Sequence, residues 1–203
     1  MEPTLTPAVW RSPLLLDRAR AVIVVIDVQQ KLLPLIEEPA RLAWNIRRLI
    51  DAAKLFGVPV LATEQYPQGL GPTVPELAAP LASLGVTIHA KQSFSCCGSP
   101  EFVEQLQASG RTQVILVGME THVCVQQTAL DLLAQHYAVY LPVDAIAARG
   151  ELDDQTALSR MECHGATITT VEAAFFELCG QAGTAEFKEI SRLVREKPPQ
   201  ERG

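Results

Sequence analysis

Short apolar runs alternate along the chain with longer stretches whose apolar positions recur every three or four residues. Six of the short runs read as strands: 21–27, 58–63, 86–89, 113–118, 138–143 and 166–169. Most are apolar without alternation, as expected of strands covered on both faces of a parallel sheet. Helical patterns fill the intervals. Over 40–56, Leu42, Ile46, Leu49, Ala53 and Phe56 share one stripe, and Gly57 can close that helix in the left-handed conformation. Thr73-Val-Pro-Glu76 and Thr169-Thr-Val-Glu172 each fit a capping box. Ser99-Pro100 reads as an N-cap followed by a first-turn proline, with Gly110 as the stop. Further helices are predicted over 122–136, 152–164 and 186–194. Strands and helices in this order predict a three-layer α/β/α fold around a six-stranded parallel sheet, wound right-handed. Neither repeat nor linker interrupts the pattern. The 203 residues therefore read as one domain with its core over about 15–195, and with loose ends at 1–12 and 197–203.

Composition narrows the partners. Apolar residues are 48% and charged residues 20%, which excludes wholesale disorder. Seventeen Lys and Arg against 23 Asp and Glu give a net charge of −6, with no basic run, so nucleic acid is not the expected partner. Apolar stretches such as 21–26 fall far short of the ~20 residues that span a bilayer. Glu2, Arg11, Asp17, Arg18 and Arg20 do not fit a signal peptide. Five scattered cysteines, Cys96, Cys97, Cys124, Cys163 and Cys179, point to reduced thiols and a cytoplasmic location.

In a parallel α/β sheet the ligand site lies beyond the carboxyl ends of the strands. There the first strand ends at Asp27, the third leads into Lys91, and the fourth leads through 118–122 to Cys124. A thiol becomes a strong nucleophile as the thiolate, which a helix N-terminus or a nearby cation favours. Cys124 is predicted in the first turn of a helix, and Lys91 could supply the cation. Asp27 could take the thiol proton and return it to a leaving amine, and backbone amides at the helix start could hold an oxyanion. Each residue also has a plain role: a strand-end Asp caps loops, a buried Cys fills a core, a Lys sits on a surface. Spacing alone leaves both readings open. No Gly-x-Gly-x-x-Gly follows a strand, so a dinucleotide site is not expected.

Taken together, 21–32 (AVIVVIDVQQKL), Lys91-Gln-Ser-Phe94 and Gly118-Met-Glu-Thr-His-Val-Cys-Val125 resemble the isochorismatase-like cysteine hydrolase superfamily. The resemblance covers about 15–195, and the stretch 63–77 is similar to the subgroup called isochorismatase domain-containing proteins. It implies an Asp–Lys–Cys triad, here Asp27, Lys91 and Cys124. It also implies a non-proline cis peptide, here Met119–Glu120, that aims the Glu120 amide beside that of Cys124 at an oxyanion. Nicotinamidases of the superfamily carry an Asp-x-His metal motif after the second strand; here 63–67 holds no histidine, so neither metal nor cofactor is expected. A cysteine at 124 favours acyl chemistry on an amide-like C–N bond over vinyl ether hydrolysis.

The remaining features rank lower. Glu64, Gln65, Tyr66, Phe94 and Thr121 are candidate pocket residues. Cys96 and Cys97 read as incidental thiols, and His122 as a rim or interface residue. Asp144 reads as a loop cap, Cys163 and Cys179 as core thiols, Trp44 as helix packing and Trp10 as packing an N-terminal arm. The expectation is a cysteine hydrolase of a small-molecule amide or other C–N substrate, forming a homo-oligomer. A noncatalytic or regulatory oligomer is the alternative, and an isochorismate hydrolase a second one.

Overall fold

The computed structural model describes residues 10–199, so positions 1–9 and 200–203 of the predicted loose ends 1–12 and 197–203 lie outside the described residues. Strands β1 (Ala21–Ile26), β2 (Val60–Gln65), β3 (Ile88–Lys91), β4 (Gln113–Met119), β5 (Ala138–Pro142) and β7 (Thr167–Thr169) run in the order β3-β2-β1-β4-β5-β7. A two-residue strand, β6 (Ile146–Ala147), pairs with the end of β4 and makes the sheet seven-stranded rather than six. All the pairings are parallel. Helix α1 (Pro39–Phe56) follows β1, the short α2 (Pro67–Leu70) and α3 (Pro75–Ser83) follow β2, and α4 (Pro100–Ala108) follows β3. Helices α5 (Gln126–Ala134), α6 (Glu151–Cys163), α7 (Val171–Cys179) and α8 (Ala185–Val194) complete the three layers.

The unbroken apolar run of β1 is explained by its two faces. Ala21, Ile23 and Val25 join the core beneath α1, α3, α7 and α8, with Leu49, Leu77, Phe175 and Ile190. Val22, Val24 and Ile26 join the opposite core, with Phe102 of α4, Leu132 of α5 and Met161 of α6. A strand between two helix layers has no solvent face to mark with a polar residue.

Several strands begin later than the apolar pattern predicts, for one recurring reason. Gly57, Gly85, His136 and Gly165 take positive φ, and the next residue donates its N–H to a carbonyl five positions back: Val58 to Ala53, Val86 to Leu81, Tyr137 to Leu132, Ala166 to Met161. These are helix-closing Schellman bonds, whose following position is commonly apolar. Val58, Val86 and Ala166, predicted as first strand residues, are therefore the last residues of helix caps. The register Gln65↔Lys91 consequently puts Glu64, Gln65 and Lys91 inside strands rather than after them.

Helix starts differ as well. Thr73 does not cap α3, whose N-cap is Val74; its hydroxyl serves Glu64 instead. Thr170, not Thr169, caps α7 through the Ala173 amide, while Ser99 caps α4 as expected. At Gly118, φ is +116° and a Cβ would lie 2.1 Å from the Ile26 carbonyl oxygen, so β1 and β4 meet there only through glycine.

Candidate active site

Three strand ends deliver polar side chains to one buried point. Asp27 follows β1 with φ 52°, a left-handed conformation that Asp tolerates better than most residues, and its side chain is fully buried. Lys91, at the end of β3, reaches across β2. Its ammonium donates to Asp27 Oδ2 at 2.7 Å, Gln65 Oε1 at 2.8 Å, the Phe94 carbonyl at 2.9 Å and the Ser93 carbonyl at 3.2 Å. Burial opposes the ammonium charge. Asp27 and the neighbouring thiols outweigh it, and the Lys91 pKa is raised. Thr63 donates to the other carboxylate oxygen, Oδ1, at 2.8 Å.

Cys124 completes the group from a π-helical turn, Thr121–Val125, rather than from the first turn of an α-helix as predicted. There the Glu120 carbonyl accepts from the amides of both Val123 (3.0 Å) and Val125 (3.2 Å). Burial raises the thiol pKa, the charge of Asp27 and a hydrogen bond to its carboxylate raise it further, and Lys91 opposes both. The expected helix-end depression is overturned. The thiol instead faces a carboxylate that is ion-paired to an ammonium, and that neighbourhood with burial disfavours its charged form.

Residues without a charge hold this arrangement, and sequence reasoning missed most of them. Gln29, fully buried, accepts the Gln65 amide at 2.8 Å and donates to the Gln65 carbonyl at 3.0 Å, which sets the side chain that meets Lys91. Gln65 in turn donates to the Gln92 carbonyl at 2.9 Å. Thr128 donates to the Cys124 carbonyl at 2.7 Å and accepts the Cys96 amide at 2.9 Å. Cys96 is not incidental: its sulfur lies 3.6 Å from the Thr63 hydroxyl, and burial beside Asp27 pushes its pKa up to about 12. Gln29 lies within the 21–32 motif, which was the available signal. Thr63, Cys96 and Thr128 carry none until the strands are side by side.

The candidate pocket residues divide. Gln65 contacts the group directly, and Phe94 meets it through its backbone while its ring is half exposed. Tyr66 is also half exposed, its ring packed over Gly69, where a Cβ would meet it at 2.3 Å. Glu64 turns to the amide (2.6 Å) and hydroxyl (2.8 Å) of Thr73 and holds that loop. Thr121 is buried and donates to Asp154 at 2.5 Å. The Met119–Glu120 bond is cis, and the Glu120 carboxylate pairs with Arg149. His122 lies 3.9 Å from Asp153. Asp144 accepts the Val171 amide at 2.8 Å, a structural cap. Cys163 is exposed and so is not a core thiol, Cys179 is partly buried and packs against the core, and Trp10 is 95% exposed rather than packed. Among the described residues no three His, Cys, Asp or Glu side chains group to hold a metal ion, and no helix is long and apolar enough to cross a membrane.

Fold and cluster together define a Rossmann-like α/β/α protein with its buried acid, amine and thiol at the carboxyl edge of the sheet. The isochorismatase domain family matches residues 21–173. Isochorismatase domain-containing protein 2 of Bos taurus is 44% identical over 153 residues, 75% of this chain and 72% of that protein. Among solved structures, the MAR1 ribonuclease of Caenorhabditis elegans superposes with a TM-score of 0.85 at 38% identity, covering 92% of this chain and 95% of that one. The YcaC gene product of Escherichia coli, an octameric hydrolase of unknown specificity, superposes at 0.83 with 28% identity, covering 91% and 92%. The chain belongs to the isochorismatase-like hydrolase superfamily, in the subgroup of isochorismatase domain-containing protein 2.

Proposed function

We propose that this hydrolase uses Cys124 as a nucleophile on a small amide or related C–N substrate. The observation that carries the reading is the buried Asp27 carboxylate, held by Lys91 at 2.7 Å and Thr63 at 2.8 Å, whose charge acts on the Cys124 thiol. Asp27 accepts the thiol proton as sulfur attacks the substrate carbonyl carbon. The amides of Glu120 and Cys124 hold the resulting oxyanion. The C–N bond breaks, the proton passes from Asp27 to the departing amine, and a thioester remains on Cys124. Asp27 then takes a proton from water, whose oxygen attacks the thioester, and the thiol is restored. Lys91 pairs with the Asp27 carboxylate and offsets the negative charge of carboxylate and thiolate, and Thr63 and Gln65 fix the two partners in place.

The C. elegans relative is named a ribonuclease, but this chain's net charge of −6 and its enclosed thiol favour a small molecule. A homo-oligomer is proposed on the precedent of the octameric E. coli protein. The test is intact-mass spectrometry during turnover of an amide and imide panel, with isochorismate and RNA as further arms. An acyl adduct on Cys124, and loss of turnover in Cys124→Ala, are expected. Full turnover by Cys124→Ala, or cleavage of RNA alone, overturns the reading.

A further inference from the structure

Beside the N-terminal half of α1 lies an apolar groove of about 430 Å³, lined by Leu33, Ala40, Ala43 and Trp44 together with Arg47, Glu76 of α3 and Pro199. Its neighbourhood shows how the chain leaving α8 comes to it. Arg48 donates to the Leu193 carbonyl at 3.1 Å, and Arg47 pairs with Glu196, which Arg192 also holds at 3.2 Å. Residues 193 and 196 are thus moored in turn on α1, and Pro199 continues the line toward that helix's N-terminus. The distances agree. Three residues of polyproline II cover about 9 Å, and positions 47 to 40 of a helix span about 10 Å. The Arg48 guanidinium lies 4.1 Å from the centroid of the Trp44 ring and stacks on one face, while the ring still lines the groove.

We propose that this groove is a polyproline II seat whose occupant is the chain's own segment 197–203, Lys-Pro-Pro-Gln-Glu-Arg-Gly. Aromatic-lined grooves favour such segments because proline has little conformational freedom to lose and packs flat on an indole. The segment then straps the end of α8 to the start of α3, the helix entered through the loop where Thr73 holds Glu64. The inference is independent of the reaction at Cys124.

The chain has two tryptophans, so Trp10→Phe leaves Trp44 as the sole indole, read without the tyrosines by excitation at the red edge of its absorption. In that background, ending the chain after Glu196 is expected to red-shift Trp44 emission and to raise its acrylamide quenching about twofold, as a covered ring becomes open. A synthetic peptide of residues 197–203 added to the shortened protein should reverse both changes. The full-length Pro198→Ala, Pro199→Ala variant should show them with charge and length intact, and it serves as the test if the shortened chain does not fold. Unchanged emission and quenching in these variants overturns the proposal. Protection of Trp44 in the full-length protein that disappears on dilution also overturns it, by assigning the groove to a second copy.

Discussion

Two buried polar clusters close opposite ends of this sheet, and they differ in kind. At the amino end of β4, Gln113 is fully buried; it accepts the Asp17 amide at 2.8 Å and donates to the Leu15 carbonyl at 3.0 Å and to the Tyr140 hydroxyl at 3.1 Å. The Tyr140 hydroxyl in turn donates to the Leu14 carbonyl at 2.9 Å. Every one of these groups is neutral, and most partners are backbone atoms of the segment before β1, so the cluster pins that segment down. At the carboxyl end, Asp27, Lys91 and Cys124 bury an ion pair and a thiol. A neutral buried network satisfies its donors and acceptors and does no more. A buried ion pair is poor value for stability, since desolvation offsets much of the attraction, so a pair retained beside a thiol points to chemistry.

Breaking the charged cluster should have the largest effect. Lys91→Ala leaves a buried carboxylate unpaired and is expected to cost about 3–5 kcal/mol in urea unfolding, with much of the loss recovered when Asp27→Asn is added. A cost near zero for the single variant would mean that Asp27 is not charged in the fold. Gln113→Ala should cost about 1–3 kcal/mol by stranding the Asp17 amide and Leu15 carbonyl, while alkylation of Cys124 keeps its rate. Altered thiol reactivity in that variant would abolish the distinction between the two ends.

Alkaline pH, compared between the protein and Cys96→Ala, probes a thiol at the carboxyl end. The Cys96 thiol is held up to about 12 when folded, above the ordinary thiol value, so its contribution is complete below that ordinary value and lost as pH rises toward the folded one. The protein should therefore lose about 2 kcal/mol more stability than Cys96→Ala between neutrality and about pH 10, read from urea midpoints. Parallel pH profiles would show that Cys96 is not a buried neutral thiol. The smallest effect expected is a shift in titration. Asp27→Asn removes the negative charge that holds the Cys124 proton, so the midpoint of iodoacetamide labelling should fall by about one pH unit, even as hydrolysis is lost with the base. An upward shift would contradict the placement of the carboxylate beside the thiol.

Much of the fold was legible because β1, β4 and their flanking helices bury apolar side chains on both sheet faces, a pattern that local sequence reports directly. The strand starts were not, because an apolar residue after a glycine serves a Schellman cap as readily as a strand, and only hydrogen bonds distinguish Val58 or Val86 from their neighbours. Strand β6 escaped notice because two residues, Ile146 and Ala147, carry no periodicity. At the site, the charged members and the thiol stood out by type at strand ends. Thr63 and Gln29 did not, since a hydroxyl and an amide acquire a role only from the partner opposite them. Glu64 failed as a pocket residue for the converse reason: its carboxylate is taken up by Thr73, nine positions along the chain but across a loop.

By itself the sequence determined the three-layer parallel architecture and the edge at which polar residues would gather, because burial periodicity and residue type are local properties; spacing left the roles of Asp27, Lys91 and Cys124 open, and the family resemblance singled them out. Only the tertiary structure decided the ionisation of the group. The thiol pKa depends on burial and on a carboxylate from another strand, and these reverse the depression expected from a helix end. Only the tertiary structure, too, brought Pro199 to the groove that Trp44 lines, because that relation joins residues 155 positions apart, which no local pattern encodes.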